Sequence, residues 1–437
     1  MKHNLMCFIF FVYNNKIMND EINKIISQHK QGLYHEALGN IKILLFEQNN
    51  NPILHNLSGI VYLSLKDYEK SIESFTNAIT LKDNLYPAYL NRGIAYSEIQ
   101  DFQKAITDYK KTIELNPNLP EAYNNLGLAL KNIGKKNESI EYFIKALNYN
   151  SNNAEASENL IKVLTTVKYN KNQDNKYIYV NNELQKLKFD FDFNTKITDE
   201  NVKIIFEKAN KIINNKLENI IFNDYQIYRR NNKDLSCKRH KKIFNDDNVI
   251  PKNCFGCYKV IIEPKTLIDL VKIYILFDYI KLENNNIRKC MIELRPNVEG
   301  TYKSLVYCSG LDEAETIFKK LKVIIDKTIN ENISMGIKRG CTEFGMAYPQ
   351  YKDYKSNLMK YEKNWKEKED LLDSKFPNLI NHKLNRETIS GITLNDILTI
   401  RNWLCYAKLI GDKSYKTISE DKFVSPFIEK KFSKKLH

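Results

Sequence analysis

Small and apolar residues recur along the first third of the chain with a fixed period of 34 residues. Gly59, Gly93 and Gly127 mark it, and Tyr62, Tyr96 and Leu130 follow each glycine at the same interval. Ser71, Ala105 and Ser139 keep the register, as do Phe75, Tyr109 and Phe143, and then Ala78, Thr112 and Ala146. Within each unit the apolar positions fall at helical spacing. A period of this length predicts helical hairpins stacked as a solenoid, because one hairpin cannot bury its apolar face without a neighbour. Each glycine is expected where one helix crosses the next, since a small residue lets the backbones approach. The units fall at 52–85, 86–119 and 120–153. A degenerate one fits 18–51, with Ala37 in phase and Ile25 where the glycine should be. A helix from Asn153 to Val167 caps the stack, so the solenoid is expected over 18–168.

After residue 168 the pattern changes. Residues 169–186 are polar and Asn-rich and read as a linker. Thr198 and Asp199 start a helix reaching Leu217, and Gln226 to Arg230 reads as a short strand. Tyr258 to Glu263 alternates as a strand and stops at Pro264. Thr266 to Leu282 is a helix, and Lys289 to Arg295 is a strand stopped by Pro296. A turn over 297–300 leads to the strand Tyr302 to Cys308. Leu311 to Ile329 is a helix with Ser309 and Asp312 in capping-box relation, and Met335 to Cys341 is a last strand. Strand, helix, strand, strand, helix, strand is the split βαβ or ferredoxin-like order. The α+β domain is expected over 187–350, with a helical tail over 351–437 packing on it. In that tail Thr393 and Asp396 cap a helix reaching Ile410, and the basic end from Glu429 reads as mobile.

The repeat residues resemble the tetratricopeptide repeat family. Its pattern stands as Tyr89, Leu90, Asn91, Arg92, Gly93, Ile94, Ala95 and Tyr96, then Ala105, Tyr109 and Pro117. The next unit repeats it from Tyr123 through Gly127 to Ser139, Phe143 and Ala146. The resemblance covers about a third of the chain and implies a scaffold that grips peptides. Some relatives in that family carry a ladder of asparagines. Asn91 and Asn125 are one repeat apart and Asn124 lies beside them, while Leu57 and Asn23 occupy the preceding rungs and break the ladder. An amide can pair with both the N–H and the C=O of an extended peptide. Plain solvated helix surface is the competing reading.

Composition adds a charge asymmetry. The chain has 437 residues with 67 Lys+Arg against 53 Asp+Glu. Residues 18–168 are close to neutral, so the excess lies in the second half. A basic half suits nucleic acid, anionic lipid or an acidic protein, and a phosphate-bearing small ligand would suit the basic rim near the cysteines equally well. Leu5 to Tyr13 is apolar but too short to span a bilayer, and no small-residue cleavage site follows it. Met18 begins almost where the repeats begin, so 1–17 reads as a leader or a false start of translation. The whole reads as a cytoplasmic protein with no membrane span.

Eight cysteines are present, six of them between 237 and 341. Cys237, His240, Cys254 and Cys257 have the spacing of a four-coordinate zinc site. The split βαβ order would also bring Cys290, Cys308 and Cys341 to the same end of the sheet. Arg229, Arg230, Lys238, Arg239, Lys241 and Lys242 crowd the same stretch, with Arg288, Lys338 and Arg339 expected near them. Small buried thiols are the bland alternative, and an iron–sulfur cluster or a redox pair is a further one. No nucleotide-binding glycine loop, HExxH or GxSxG motif occurs.

Three functions stay open at this point. The first is a scaffold whose solenoid binds a protein or peptide while the basic Cys-rich domain adds a second contact or a local activity. The second is a metal- or thiol-dependent enzyme recruited by the solenoid. The third is a nucleic-acid-binding protein.

Overall fold

The computed structural model describes residues 20–188, 195–217, 220, 222–231, 235–296, 298–355, 359–376, 387–420 and 423–436; the leader 1–17 lies outside them. The chain divides into two units, with the boundary between Ala156 and Ser157.

In the first unit the helices come in pairs: α1 (Asp20–Gln31) with α2 (Tyr34–Glu47), α3 (Pro52–Ser64) with α4 (Tyr68–Leu81), α5 (Tyr86–Glu98) with α6 (Phe102–Leu115), and α7 (Pro120–Asn132) with α8 (Lys136–Tyr149). Local chemistry sets the ends. Asn51 accepts hydrogen bonds from the amides of Ile53 and Leu54 at 3.0 and 3.4 Å. Asp67 and Asp101, one repeat apart, cap α4 and α6 through Lys70 N and Lys104 N. Such caps satisfy amides that the helix leaves orphaned.

The glycines act as the spacing requires. A Cβ added at Gly59, Gly93 or Gly127 would lie 2.5, 2.6 or 2.7 Å from the ring of Phe75, Tyr109 or Phe143. The ring of each second helix therefore sits on the bare backbone of the first. Ile25 fills the glycine position of the degenerate unit and is fully buried beside Ala37, so that hairpin forms with a different crossing residue.

The next helix, α9 (Ala154–Val163), straddles the boundary. Its later part belongs to the second unit: Lys162 lies 3.5 Å from Asp224, and Thr165 O accepts from Ile389 N. The first unit thus ends near 156, short of 168. Residues 176–185 are not a linker but a helix, α10 (Lys176–Gln185). Tyr177, Ile178, Val180 and Leu184 give it a buried face that the surrounding asparagines mask in the composition. Helix α11 (Asp199–Asn214) follows, with the Thr198 cap the sequence predicts.

The second unit is built on a five-stranded antiparallel sheet. Its elements are β1 (Gln226–Arg229), α12 (Cys237–Asp247), β2 (Tyr258–Glu263), α13 (Leu267–Tyr279), β3 (Arg288–Ile292), β4 (Tyr302–Cys308), α14 (Leu311–Thr328) and β5 (Ser334–Arg339). The strand order is β1–β3–β4–β2–β5, every pair antiparallel. Val260, Ile262, Ser304, Val306, Cys290 and Ile292 share one face, buried under α13 and α14. Gly310 stands at the N-cap of α14 with no side-chain cap; Ser309 N and Oγ donate to Glu313 in the first turn rather than pairing with Asp312.

Helices α15 (Thr342–Ala347), α16 (Pro349–Lys352) and α17 (Lys363–Lys375) form a second, smaller core with α12. Ile243, Ile250, Cys254, Phe344, Tyr351 and Trp365 fill it. Helix α18 (Leu394–Leu409) packs on β1 and α13. After the short α19 (Tyr415–Ile418), α20 (Pro426–Leu436) docks rather than floats: Ile428 is buried, and Lys435 donates to Glu293 O and Gly300 O at 2.8 and 3.0 Å.

A buried charge ties α18 to the sheet. Arg229 donates to Asp396 Oδ2 at 2.8 Å, Tyr274 Oη at 2.6 Å and Gly391 O at 3.1 Å, with Asp278 Oδ1 3.3 Å from its Nε. Asp396 also closes the capping box of α18 with Thr393.

These contacts set two expectations for stability. Gly93→Ala should destabilise the protein by about 1–3 kcal/mol through overpacking, and adding Tyr109→Leu should recover part of the loss. Urea unfolding followed by helical circular dichroism checks both, and a Gly93→Ala protein as stable as the wild type would refute the tight crossing. Asp396→Ala should cost about 3–5 kcal/mol, because it leaves a buried guanidinium with only the more distant Asp278 carboxylate. A change below about 1 kcal/mol, within the range of an exposed pair, would show that the Arg229 cluster does not hold α18.

Candidate functional site

The first helices of successive hairpins, α3, α5 and α7, touch in sequence and line one face of the first unit. The predicted asparagines lie on these helices but differ in setting. Asn91 and Asn124 are buried, whereas Asn125 is half-buried. Asn91 Oδ1 has no hydrogen-bond partner among the described residues. Asn56 on α3, two repeats before Asn124, is missed by the sequence reading although it shares that spacing. It is 0% exposed, and neither atom of its amide is paired. Arg92 is fully engaged, with a bidentate contact to Asp108 at 2.8 Å and a bond to Thr76 Oγ1 at 3.1 Å.

The second candidate lies in the second unit, where strand ends meet the smaller core. Cys237 and His240 come from α12, Cys254 and Cys257 from the turn before β2. All four line one cavity of about 350 Å³, together with Cys308 and Cys341. His240 Nδ1 is 3.3 Å from Cys254 Sγ. Among the described residues, however, no three His, Cys, Asp or Glu side chains are disposed to hold a metal ion. The structure gathers the four predicted ligands around a space without forming a coordination shell.

Cys290 does not join them. The β3–β4 register sets it opposite Ser304, and Ser304 Oγ lies 3.3 Å from its sulfur. The strand begins at Arg288 and its alternation turns Cys290 to the helix-covered face, where burial pushes the thiol up to about 12. Burial likewise raises Cys254 and Cys257 above the ordinary thiol value, although Lys259 pulls both the other way.

The predicted basic cluster is divided in the same way. Arg229 is spent on Asp396, and Arg239 on Asp373 and Glu369 at 2.6–2.8 Å. Arg288 is buried on the helix-covered face and donates to Phe277 O. Arg339, at the end of β5, is buried against the Phe255, Tyr258 and Tyr351 rings. A set of lysines lies on the opposite face of the sheet. Cross-strand pairing sets Lys259 between Lys338 and Tyr307, and Leu305 between Ile261 and Lys289. Lys303 lies two positions before Leu305 on β4. Lys259 Nζ donates to Gly340 O at 2.8 Å and lies 4.9 Å from the Tyr307 ring. Lys289 faces the Tyr228 ring at 5.4 Å and has no hydrogen bond or ion pair among the described residues. Burial, reinforced by the charge of Lys259, lowers Lys289 to about 7 and Lys338 to about 8.

The nearest carboxylate is already taken. Glu293 is fully buried and accepts from Arg295 at 2.7 and 2.9 Å and from Lys303 at 3.1 Å. Burial opposes its charge, but these cations outweigh that and hold it down to about 2. Glu343 pairs with Arg295 at 3.0 Å. Among the described residues no helix is long and apolar enough to cross a membrane.

The tetratricopeptide repeat profile matches residues 53–85 and 120–153, and a second TPR repeat profile matches 95–134. Among solved structures, MamA 41-end from Desulfovibrio magneticus RS-1 is similar at 18% identity, over 46% of this chain and 99% of that one, with a TM-score of 0.32. A thermophilic TPR protein of Thermus thermophilus shares 20% identity over 37% of this chain and 88% of its own, with a TM-score of 0.31. The first TPR of Spaghetti, bound to an HSP90 peptide, shares 24% identity over 26% and 90%, with a TM-score of 0.26. No curated protein matches the chain. The segment from 53 to 153 carries tetratricopeptide repeats, which support reading it as a protein-interaction module.

Proposed function

We propose that the first unit grips an extended peptide segment of a protein partner along the face formed by α3, α5 and α7. The observation that carries this reading is the pair of buried asparagines, Asn56 and Asn91, with unpaired amide atoms. Leaving a buried polar group unsatisfied costs roughly 1–3 kcal/mol, and a peptide backbone supplies the missing donor and acceptor. Asn125 is the more open rung and makes the first contact. The buried amides are reached when the side chains over them move aside. Asn124 is proposed as a supporting contact on the same helix.

The second unit adds a basic surface to this scaffold. Its core is read as a split βαβ: the order β5–β2–β4–β3 is what that arrangement requires, with β1 as an added edge strand, and this supports the reading. The first unit recruits a protein, and the second offers a further, basic contact of its own.

Peptides selected from a random library on the full-length protein test the grip. An Asn56→Leu, Asn91→Leu, Asn125→Ala variant should bind them at least tenfold more weakly, while its thermal midpoint stays unchanged or rises. Retained affinity would remove the asparagines from the interface, and a lowered midpoint would mark them as structural.

A further inference from the structure

We propose that the lysine-bearing face of the sheet, with the cavity beside it, binds a small phosphate-bearing ligand. Lys259, Lys289 and Lys338 supply the cations, and Tyr228 and Tyr307 supply flanking rings.

The argument starts from charge balance. Burying a cation without a counter-ion is expensive, and folded proteins keep such groups mainly where function uses them. Elsewhere in this unit Arg229, Arg239 and Arg295 each meet carboxylates, whereas buried Arg288 meets a carbonyl and buried Arg339 a phenol and aromatic rings. The three lysines meet no carboxylate among the described residues. Lys259 and Lys338 stand opposite each other across β2 and β5. Lys259 is buried, donates to Gly340 O and lies 3.9 Å from Cys341 Sγ; half-buried Lys338 donates to Thr342 Oγ1 at 2.8 Å, and half-buried Lys289 has only a ring beside it. Glu293 and Glu343 are committed to Arg295 and Lys303. The missing charge is negative.

Geometry narrows the ligand class. Lys259 and Tyr307 line the cavity of about 350 Å³, together with Lys241 of α12. That volume lies at the small end of the range for small-molecule sites. A nucleic-acid strand lies on open basic surface and stacks its bases on exposed rings. Here the central lysine is buried, and Tyr228 and Tyr307 are half-buried and taken up by lysines. A compact oxyanion that slips between the lysines suits the space better.

Pyrophosphate is the probe, added to full-length reduced protein and compared with sodium chloride at equal ionic strength. It should raise the thermal midpoint and bind with a measurable heat. Lys289→Met should weaken that binding roughly tenfold or more, as expected for losing one charged hydrogen-bond partner. The same substitution should raise the midpoint of the ligand-free protein, because it removes an uncompensated charge. The sign of its pH dependence is fixed. A lysine whose pKa is depressed on folding destabilises fully below about pH 7 and not at all above the ordinary lysine value. The gain from Lys289→Met should therefore be largest below pH 7 and vanish near pH 10.5. The groups facing Lys289 are Lys259 from β2, Lys241 from α12, Tyr228 from β1, and Glu293 and Arg295 beyond β3, and none of them is altered. A second variant, Lys259→Met, should lose pyrophosphate binding too.

Three results would overturn the proposal. One is no pyrophosphate effect beyond that of chloride. Another is stoichiometric zinc in the reduced protein, because metal-bound thiolates would then be the missing anions. The last is tight binding of a uridine decamer without binding of pyrophosphate, which would make the face a nucleic-acid surface.

Discussion

The contact between a bare glycine and an aromatic ring on the following helix governs the first unit. With no Cβ at Gly93, the Tyr109 ring lies against the α5 backbone, and the same holds for Gly59 with Phe75 and Gly127 with Phe143. This fixes how closely each hairpin closes, and so which residues of the first helix reach the next hairpin. The degenerate unit shows that volume, rather than glycine itself, is what the crossing preserves. There Ile25 stands in the glycine position and Ile41 in the ring position, both fully buried. Two medium side chains share the space that nothing and a ring fill elsewhere, the kind of volume-conserving exchange cores tolerate best. The same closure leaves Asn56 and Asn91 inside, with amide atoms that no described neighbour satisfies.

The second unit is governed by how buried charges are matched. Arg229 is surrounded by two carboxylates, a phenol and a carbonyl, which suits a cation that binds α18 to the sheet. Lys289 has none of these. Both residues are basic and lie on neighbouring antiparallel strands, but alternation sends them to opposite faces. One face is closed by helices, and there Arg229 is matched by carboxylates while Arg288 has a carbonyl. The other borders a cavity and leaves charge unmatched. Net charge alone hides this distinction, because paired and unpaired cations count equally in it.

Much of the architecture was legible because it rests on local regularities. The 34-residue period located the hairpins, and Pro264 and Pro296 with the alternation of Tyr258 to Glu263 located strands. Thr198 and Thr393 marked helix starts correctly. What escaped depends on tertiary partners. The buried face of α10 is spaced among asparagines and reads as polar until α18 lies against it, where Asn181 accepts from Leu394 N at 3.0 Å. The position of Cys290 depends on cross-strand register, which no residue near it specifies. The fate of Arg239 depended on Glu369 and Asp373, more than a hundred residues away. Asn56 is legible in the sequence, since it keeps the repeat spacing with Asn124.

The cysteines show why spacing and chemistry must be weighed together. Their pattern in the sequence points to a metal, and folding does bring Cys237, His240, Cys254 and Cys257 to one cavity. Thiols act as ligands or nucleophiles only as thiolates. At Cys254 and Cys257 burial opposes that form and prevails, although the charge of Lys259 favours it. In the chain by itself the cavity sets these sulfurs beside Lys241 and Lys259. A species that brings its own negative charge suits those two cations.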